Sequence, residues 1–173
     1  MRRVPSGIVC ILVLASLPLP AQNTYPKAEI FGGFSVASVA NGDREQLYGW
    51  QAGVAGNFHR NVGLVADFGG QYKDIEGISV HAYEYLFGPR FSVRADGATG
   101  FLHALFGGVS AGGEGLSESG FMMGFGGGVD VNAGSRIAVR VIQFDWLPSR
   151  VEGEWSKSEF RVGFGIVIKA GGD

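Results

Sequence analysis

Seven charged side chains stand singly in segments otherwise built of small and apolar residues: Glu29, Asp67, Glu84, Arg90, Asp130, Arg140 and Arg161. Their isolation defines their chemistry. A charge taken out of water is expensive unless a group of opposite sign meets it, so four carboxylates facing three guanidiniums are material for ion pairs. If all seven point to one enclosed side, they form either a fixed plug or a gate, in which a pair changes partner and opens a small conductance.

Other reactive residue types do not converge. His59, His81 and His103 lie on three separate segments, without the close spacing that brings two imidazoles onto one metal. The run Gly124-Phe125-Gly126-Gly127-Gly128 fails the dinucleotide fingerprint, because Val129 occupies the third glycine position and a strand continues where a helix should open. Small residues on one strand face account for it. No cofactor, no metal and no catalysis are expected.

Composition narrows the class of chain that must position these charges. Of 173 residues, 30 are Gly, more than twice the average share of about 7%. Since 46% of residues are hydrophobic and 12% aromatic, the glycines belong to structured segments rather than to a linker. Length allows one domain. The net charge of −2 and the lack of any Lys/Arg cluster exclude nucleic acid as a partner.

Residues 1–21 read as a secretory signal peptide. Met1-Arg2-Arg3 is basic, residues 8–19 are almost wholly apolar, and the small residue Ala21 precedes Gln22. That apolar run falls short of the roughly 20 residues a membrane-spanning helix needs, and Pro18 and Pro20 break its end. Residues 22–173 are then the exported domain. The single cysteine, Cys10, falls within the signal, so the exported part has no disulfide and must be held by its core or by a different solvent.

That domain alternates with period two, the mark of strands. Phe160, Val162, Phe164, Ile166 and Ile168 share one face, with Arg161, Gly163, Gly165, Val167 and Lys169 on the other. Trp50, Ala52, Val54, Gly56 and Phe58 oppose Gln51, Gly53, Ala55 and Asn57; Val62, Leu64, Ala66, Phe68 and Tyr72 oppose Gly63, Val65, Asp67, Gly69 and Gln71. With 27–36, 83–93, 101–111, 121–131 and 136–147, the stretches number eight. Near 136–147 the alternation slips, and a β-bulge near Val141 would bring Arg140, Gln143 and Asp145 to one side. His103 shares a face with Phe101 and Leu105, which leaves its side of the wall open.

Connections alternate too. Short turns (His59-Arg60-Asn61, residues 94–100, Ala133-Gly134-Ser135) take turns with longer polar segments at 37–47, 73–81, 112–120 and 148–158. This pattern marks an up-and-down transmembrane barrel with both termini on the short-turn side, and strands of about 10 residues suit a tilted crossing. A soluble lipocalin-like ligand-binding barrel, in the periplasm or secreted, would also alternate. Its outer face, however, would carry a dense layer of Lys and Glu. Here the polar face holds Gly, Ala, Ser and isolated charges, and only 17% of residues are charged. The apolar face ends in Trp50, Phe58, Tyr72, Tyr83 and Phe160, as lipid-interface girdles do. The expected fold is all-β: an eight-stranded antiparallel up-and-down transmembrane β-barrel with the seven charges in its lumen.

Ala28-Glu29-Ile30-Phe31-Gly32-Gly33-Phe34-Ser35 resembles the first strand of the small outer-membrane β-barrel proteins related to the OmpA transmembrane domain. Phe87-Gly88-Pro89-Arg90-Phe91 resembles their fourth strand, Arg140 to Leu147 with Asp145-Trp146-Leu147 their seventh, and Arg161-Val162-Gly163-Phe164-Gly165-Ile166 their eighth. The likeness runs over residues 27–169. It implies a barrel of the Gram-negative outer membrane whose lumen is filled by side chains, with an envelope-structural or surface-interaction role. It also implies outer-membrane lipid and lipopolysaccharide as surroundings, barrel-assembly machinery as a partner during insertion, and a monomer.

Two departures bear on that likeness. Members commonly end on an aromatic residue, whereas this sequence continues from Lys169 to Asp173, which displaces that signal to Phe164 or removes it. No segment after residue 169 has room for a peptidoglycan-binding domain. Lipid A deacylase barrels of this size carry a His followed two residues later by Ser, but here Asn61, Tyr83 and Leu105 follow. The pairs Glu114/Glu118 and Glu152/Glu154 read as a solvated acidic face, or as weak sites where Ca²⁺ or Mg²⁺ bridges to lipopolysaccharide phosphates.

Overall fold

A computed structural model describes residues 25–172, except 42, 76, 77, 114, 115, 152, 157 and 158. The region read as a signal peptide, and Glu114 and Glu152, lie outside the described residues. Ten strands follow one another among the described residues: β1 (Ala28–Asn41), β2 (Asp43–Asn57), β3 (Val62–Ile75), β4 (Ile78–Arg94), β5 (Ala98–Gly113), β6 (Leu116–Asn132), β7 (Ile137–Trp146), β8 (Ser149–Val151), β9 (Glu154–Ser156) and β10 (Glu159–Ala170).

Eight of them close a barrel. Strands β1 to β7 each pair antiparallel with the next, β7 pairs with β10, and β10 returns to β1 from Ala28↔Ala170 to Val39↔Glu159. Closure leaves these strands no free edge, which matters in hydrocarbon, where an unpaired backbone group has no water to turn to. The short strands β8 and β9 form a hairpin at the far end, with Gly153 at its turn in a positive-φ conformation (φ 92°).

The strands run longer than the apolar alternation. Segments 37–47, 73–81 and 112–120, expected as loops, are mostly continuations of the strands into hairpins, with β1 ending at Asn41 and β2 starting at Asp43. The backbone ladder persists beyond the apolar band, where the sequence no longer alternates between apolar and small or polar residues.

The bulge on β7 has a definite place. Gln143 pairs with Gly163 and Arg140 with Gly165, so Val141 and Ile142 together oppose Phe164 alone. On the other side Ile142 pairs with Val129 and Arg140 with Asp130. Both Val141 and Ile142 face outward, and the extra residue lets Arg140, Gln143 and Asp145 all face the lumen.

The outer face is uncharged. At the outward positions from Ile30 to Phe34, Trp50 to Phe58, Leu64 to Tyr72, Tyr83 to Val93, Leu102 to Phe106, Phe121 to Val131, Ile137 to Trp146 and Phe160 to Ile168, not one Asp, Glu, Lys or Arg occurs. Neighbouring rings touch across the ladder, as in Phe34–Phe164, Phe68–Phe87, Phe125–Trp146 and Phe144–Phe160. Trp50 lies over Gly70, where a Cβ would come within 2.4 Å of the indole nitrogen, so the ring covers the backbone that glycine leaves bare. At the hairpin end of β2, β3 and β4, Trp50 Nε1 donates to the Tyr72 hydroxyl and Tyr72 to the Tyr83 hydroxyl, both at 3.4 Å. Amphipathic rings at that height suit a hydrocarbon–headgroup boundary. An outside of this kind belongs in lipid, and the barrel is a transmembrane one.

Candidate functional site in the barrel lumen

The seven isolated charges all sit in the lumen, each between 0% and 5% exposed. Period two puts them there, because each shares its strand face with Gly, Ala, Ser, Gln or an inward aromatic. Asp145, Gln143 and His103 are buried beside them, and Arg94 joins from the end of β4 at 9% side-chain exposure.

Toward the hairpin end, Arg161 on β10 gathers three carboxylates. Its Nη1 donates to Glu84 Oε2 at 2.6 Å, and its Nη2 to Asp67 Oδ1 at 2.7 Å and to Asp145 Oδ2 at 2.8 Å. Asp67 and Asp145 each have a second donor, whereas Glu84 Oε1 is buried without one. Gln51 Nε2 donates to Asp67 Oδ2 at 2.8 Å, and His103 Nε2 to Asp145 Oδ1 at 2.8 Å. Small residues make the room. A Cβ on Gly126 would lie 2.2 Å from Asp145 Oδ1, and one on Gly163 would lie 2.3 Å from Gln51 Oε1.

Toward the short-turn end, Arg140 binds Asp130 through two parallel bonds, Nε to Oδ1 at 2.7 Å and Nη2 to Oδ2 at 3.1 Å. Such fork-to-fork pairing is the strongest geometry a guanidinium can offer a carboxylate. Arg90 Nη1 donates to Glu29 Oε2 at 2.8 Å and its Nη2 to Asp130 Oδ2 at 3.4 Å. Arg94 Nη2 and Asn57 Nδ2 complete Glu29 through Oε1, at 2.6 and 3.0 Å.

Gln143 joins the two clusters. It accepts from Arg140 Nη1 at 2.6 Å and donates to Asp145 Oδ2 at 2.8 Å. Among the described residues the network is therefore continuous from Arg94 to Glu84.

Two inward phenylalanines complete the packing. The Arg140 guanidinium lies 4.1 Å from the Phe31 ring centre and 4.4 Å from that of Phe101, and Arg90 lies 4.2 Å from Phe101. Rings and guanidiniums thus stack in the order Phe31, Arg140, Phe101, Arg90. The rings hold two like charges apart while offering each a π face. Leu86, Leu105, Val109, Met122 and Leu147 form a buried apolar cluster on the lumen side of β4 to the end of β7, against which Val65 of β3 and Val151 of the β8–β9 hairpin pack.

Little space remains. The cavity between Glu29, Phe31, Asp67, Arg90, Phe101, His103, Arg140 and Gln143 holds about 10 Å³, room for about one water molecule. The arrangement can neutralise charge and resist deformation. Outside the lumen, His59 lies exposed in a turn and His81 stands beside Tyr83, ring centres 5.4 Å apart. Glu118 and Glu154 are exposed near the hairpin tips. No group of three or more His, Cys, Asp or Glu suited to a metal occurs among the described residues.

Sequence reasoning picked out the lumen charges by their isolation but passed over Arg94, Gln51 and Gln71. Arg94 sits where the strand passes into a turn, and a glutamine among glycines carries no charge to draw notice. Gln71 Nε2 donates to Ser35 Oγ at 2.8 Å.

No family model matches the sequence, and no curated protein matches it. Solved structures do. Neisserial surface protein A aligns over 85% of this chain and 99% of its own, with a TM-score of 0.71 at 9% identity. Ail, the attachment invasion locus protein of Yersinia pestis, aligns over 83% of this chain and 99% of its own, with a TM-score of 0.53 at 17% identity. The N-terminal β-barrel domain of Pseudomonas aeruginosa OprF aligns over 83% of this chain and 98% of its own, with a TM-score of 0.57 at 14% identity. At such identities the likeness is one of fold, and in fold this chain is an eight-stranded β-barrel of the outer-membrane type, closed around a lumen filled with its own side chains.

Proposed function

We propose that the chain is an integral outer-membrane protein with an envelope-structural or surface-contact role and no catalytic activity. One observation carries the reading: the seven lumen charges are turned inward and paired, while the outward positions of the apolar band, from Ile30 to Phe34 on β1 through Phe160 to Ile168 on β10, carry no charge. A soluble binding barrel inverts that arrangement, keeping an apolar cavity inside and a charged surface outside.

Within this reading the lumen is a fixed plug. Breaking one partner of a buried pair strands the other charge, so the network favours a single arrangement. The apolar cluster of Leu86, Leu105, Val109, Met122 and Leu147 fills more of the lumen. A gate needs a side chain to swing out of the pairing, and the cavity beside Arg90 and Arg140 holds only about 10 Å³.

The exposed hairpins are the parts free to meet other surfaces. The similarity of fold to an attachment invasion locus protein supports contact with another surface as their use. In the bilayer the partners are lipid and lipopolysaccharide, with barrel-assembly machinery during insertion, and the barrel stands as a monomer. Electrophoresis in detergent tests the reading. The unboiled chain from a membrane fraction should run ahead of the boiled chain, whereas recovery in the soluble periplasmic fraction would contradict it.

A further inference from the structure

The outer wall is evenly apolar but not evenly filled. Near the short-turn end two ladder rows cross β4, β5 and β6: Val93, Gly100 and Val129 in one, Phe91, Leu102 and Gly127 in the next. Gly100 has nothing within 4 Å of where a Cβ would stand. Leu102 leans across Gly127, whose Cβ would lie 2.7 Å from Leu102 Cδ2. Between them lies a trough of about 380 Å³, floored by Gly100 and Gly128 and walled by Phe91, Val93, Leu102 and Val129. Its rim stands well out from the barrel, with Leu102 66% and Val93 61% exposed.

We propose that this trough seats one acyl chain of a phospholipid in the inner leaflet of the outer membrane. The inference rests on the membrane reading above and assigns it a specific lipid contact. The trough is continuous with the uncharged belt on either side and opens to whatever covers that belt. Lipid tails are as apolar as the wall, so no transfer from water drives the contact. The gain is in packing. A hollow left unfilled forfeits the dispersion contacts of its lining, and a flexible methylene chain can follow the floor between the two valines and restore them.

Depth selects the lipid. Val93 and Gly100 flank the turn Ala95-Asp96-Gly97, at the end of the barrel that carries both chain termini. In an up-and-down outer-membrane barrel that end faces the periplasm. Lipopolysaccharide occupies the opposite leaflet, so the chain within reach belongs to a phospholipid.

The test uses the full barrel in phosphatidylethanolamine–phosphatidylglycerol vesicles, with a trace of phosphatidylethanolamine carrying a diazirine near the carbonyl end of one acyl chain. After illumination, adducts are mapped by peptide mass spectrometry. Peptides holding Phe91, Leu102 and Val129 should be labelled several-fold more than those holding the comparably exposed Ile166 and Ile168. Gly100→Phe fills the trough without meeting any atom at its Cβ, and should bring the excess to background while heat-modifiable mobility is retained. Equal labelling of both walls, or an excess unchanged by Gly100→Phe, overturns the trough proposal. Absence of label from both walls overturns the membrane reading itself.

Discussion

Arg161 and Asp145 stand opposite each other on neighbouring strands, and the Arg161 guanidinium binds the Asp145 carboxylate at 2.8 Å while holding Asp67 and Glu84 with its other hydrogens. One cation therefore satisfies acids from three other strands, β3, β4 and β7. Arg161→Met keeps much of the bulk and removes the charge, leaving three buried carboxylates to repel one another. The variant should lose at least about 3–5 kcal/mol of stability, the usual effect of stranding a buried charge. Urea unfolding in phospholipid vesicles measures it, and a loss below about 1 kcal/mol would show that Arg161 is not the organiser of the cluster.

Asp145→Asn should be milder. The amide oxygen still accepts a hydrogen bond, and Arg161 keeps Asp67 and Glu84, so a loss of about 1–3 kcal/mol is expected. A double-mutant cycle with His103→Ala tests their contact at 2.8 Å. The two changes should be non-additive by at least about 0.5 kcal/mol, as for residues in one network.

Glycines on opposite sides of the wall should respond with opposite sign. Gly126→Ala places a methyl group 2.2 Å from Asp145 Oδ1 and from the Phe144 carbonyl oxygen, an overpacking that costs about 1–3 kcal/mol. Gly32 and Gly56 face outward with nothing within 4 Å of a Cβ. Alanine there should be neutral or stabilise by about 0.5–1 kcal/mol, because it removes strand-weakening freedom. Chemical unfolding of the three variants side by side decides.

The proposed plug predicts electrical silence. Planar bilayers containing the native barrel should show no channel events, given a cavity of about 10 Å³. Steady conductance that Arg140→Ala alters would replace the plug with a gate.

Much of this molecule was legible in its sequence, and the missing parts share a physical cause. Period two reveals on which side of the wall a residue lies, so the faces of β2, β3 and β10 and the bulge at Val141 and Ile142 could be read from the residues. It carries nothing about who meets whom across the lumen. Arg161 reaches Asp67 and Glu84 because barrel closure and strand stagger bring β10, β3 and β4 to one height, a relation between residues 94 and 77 positions apart. The stack of Phe31 and Phe101 on Arg140 was hidden for a related reason. Both phenylalanines break the rule that inward positions are small or polar, and only the guanidinium faces beside them make the lumen a suitable place. The hairpin extensions are hidden in the sequence because its apolar alternation stops before the backbone ladder does.

A barrel lying in lipid holds its hairpins on one side of the membrane and its short turns on the other. Single cysteines at Glu118, exposed near the β5–β6 hairpin, and at Arg60, in the β2–β3 turn, report on both ends in a Cys10→Ser background. A membrane-impermeant maleimide added to intact cells should label Glu118→Cys at once and Arg60→Cys only after the outer membrane is breached. Labelling of both on intact cells, or of neither until lysis, would contradict the account.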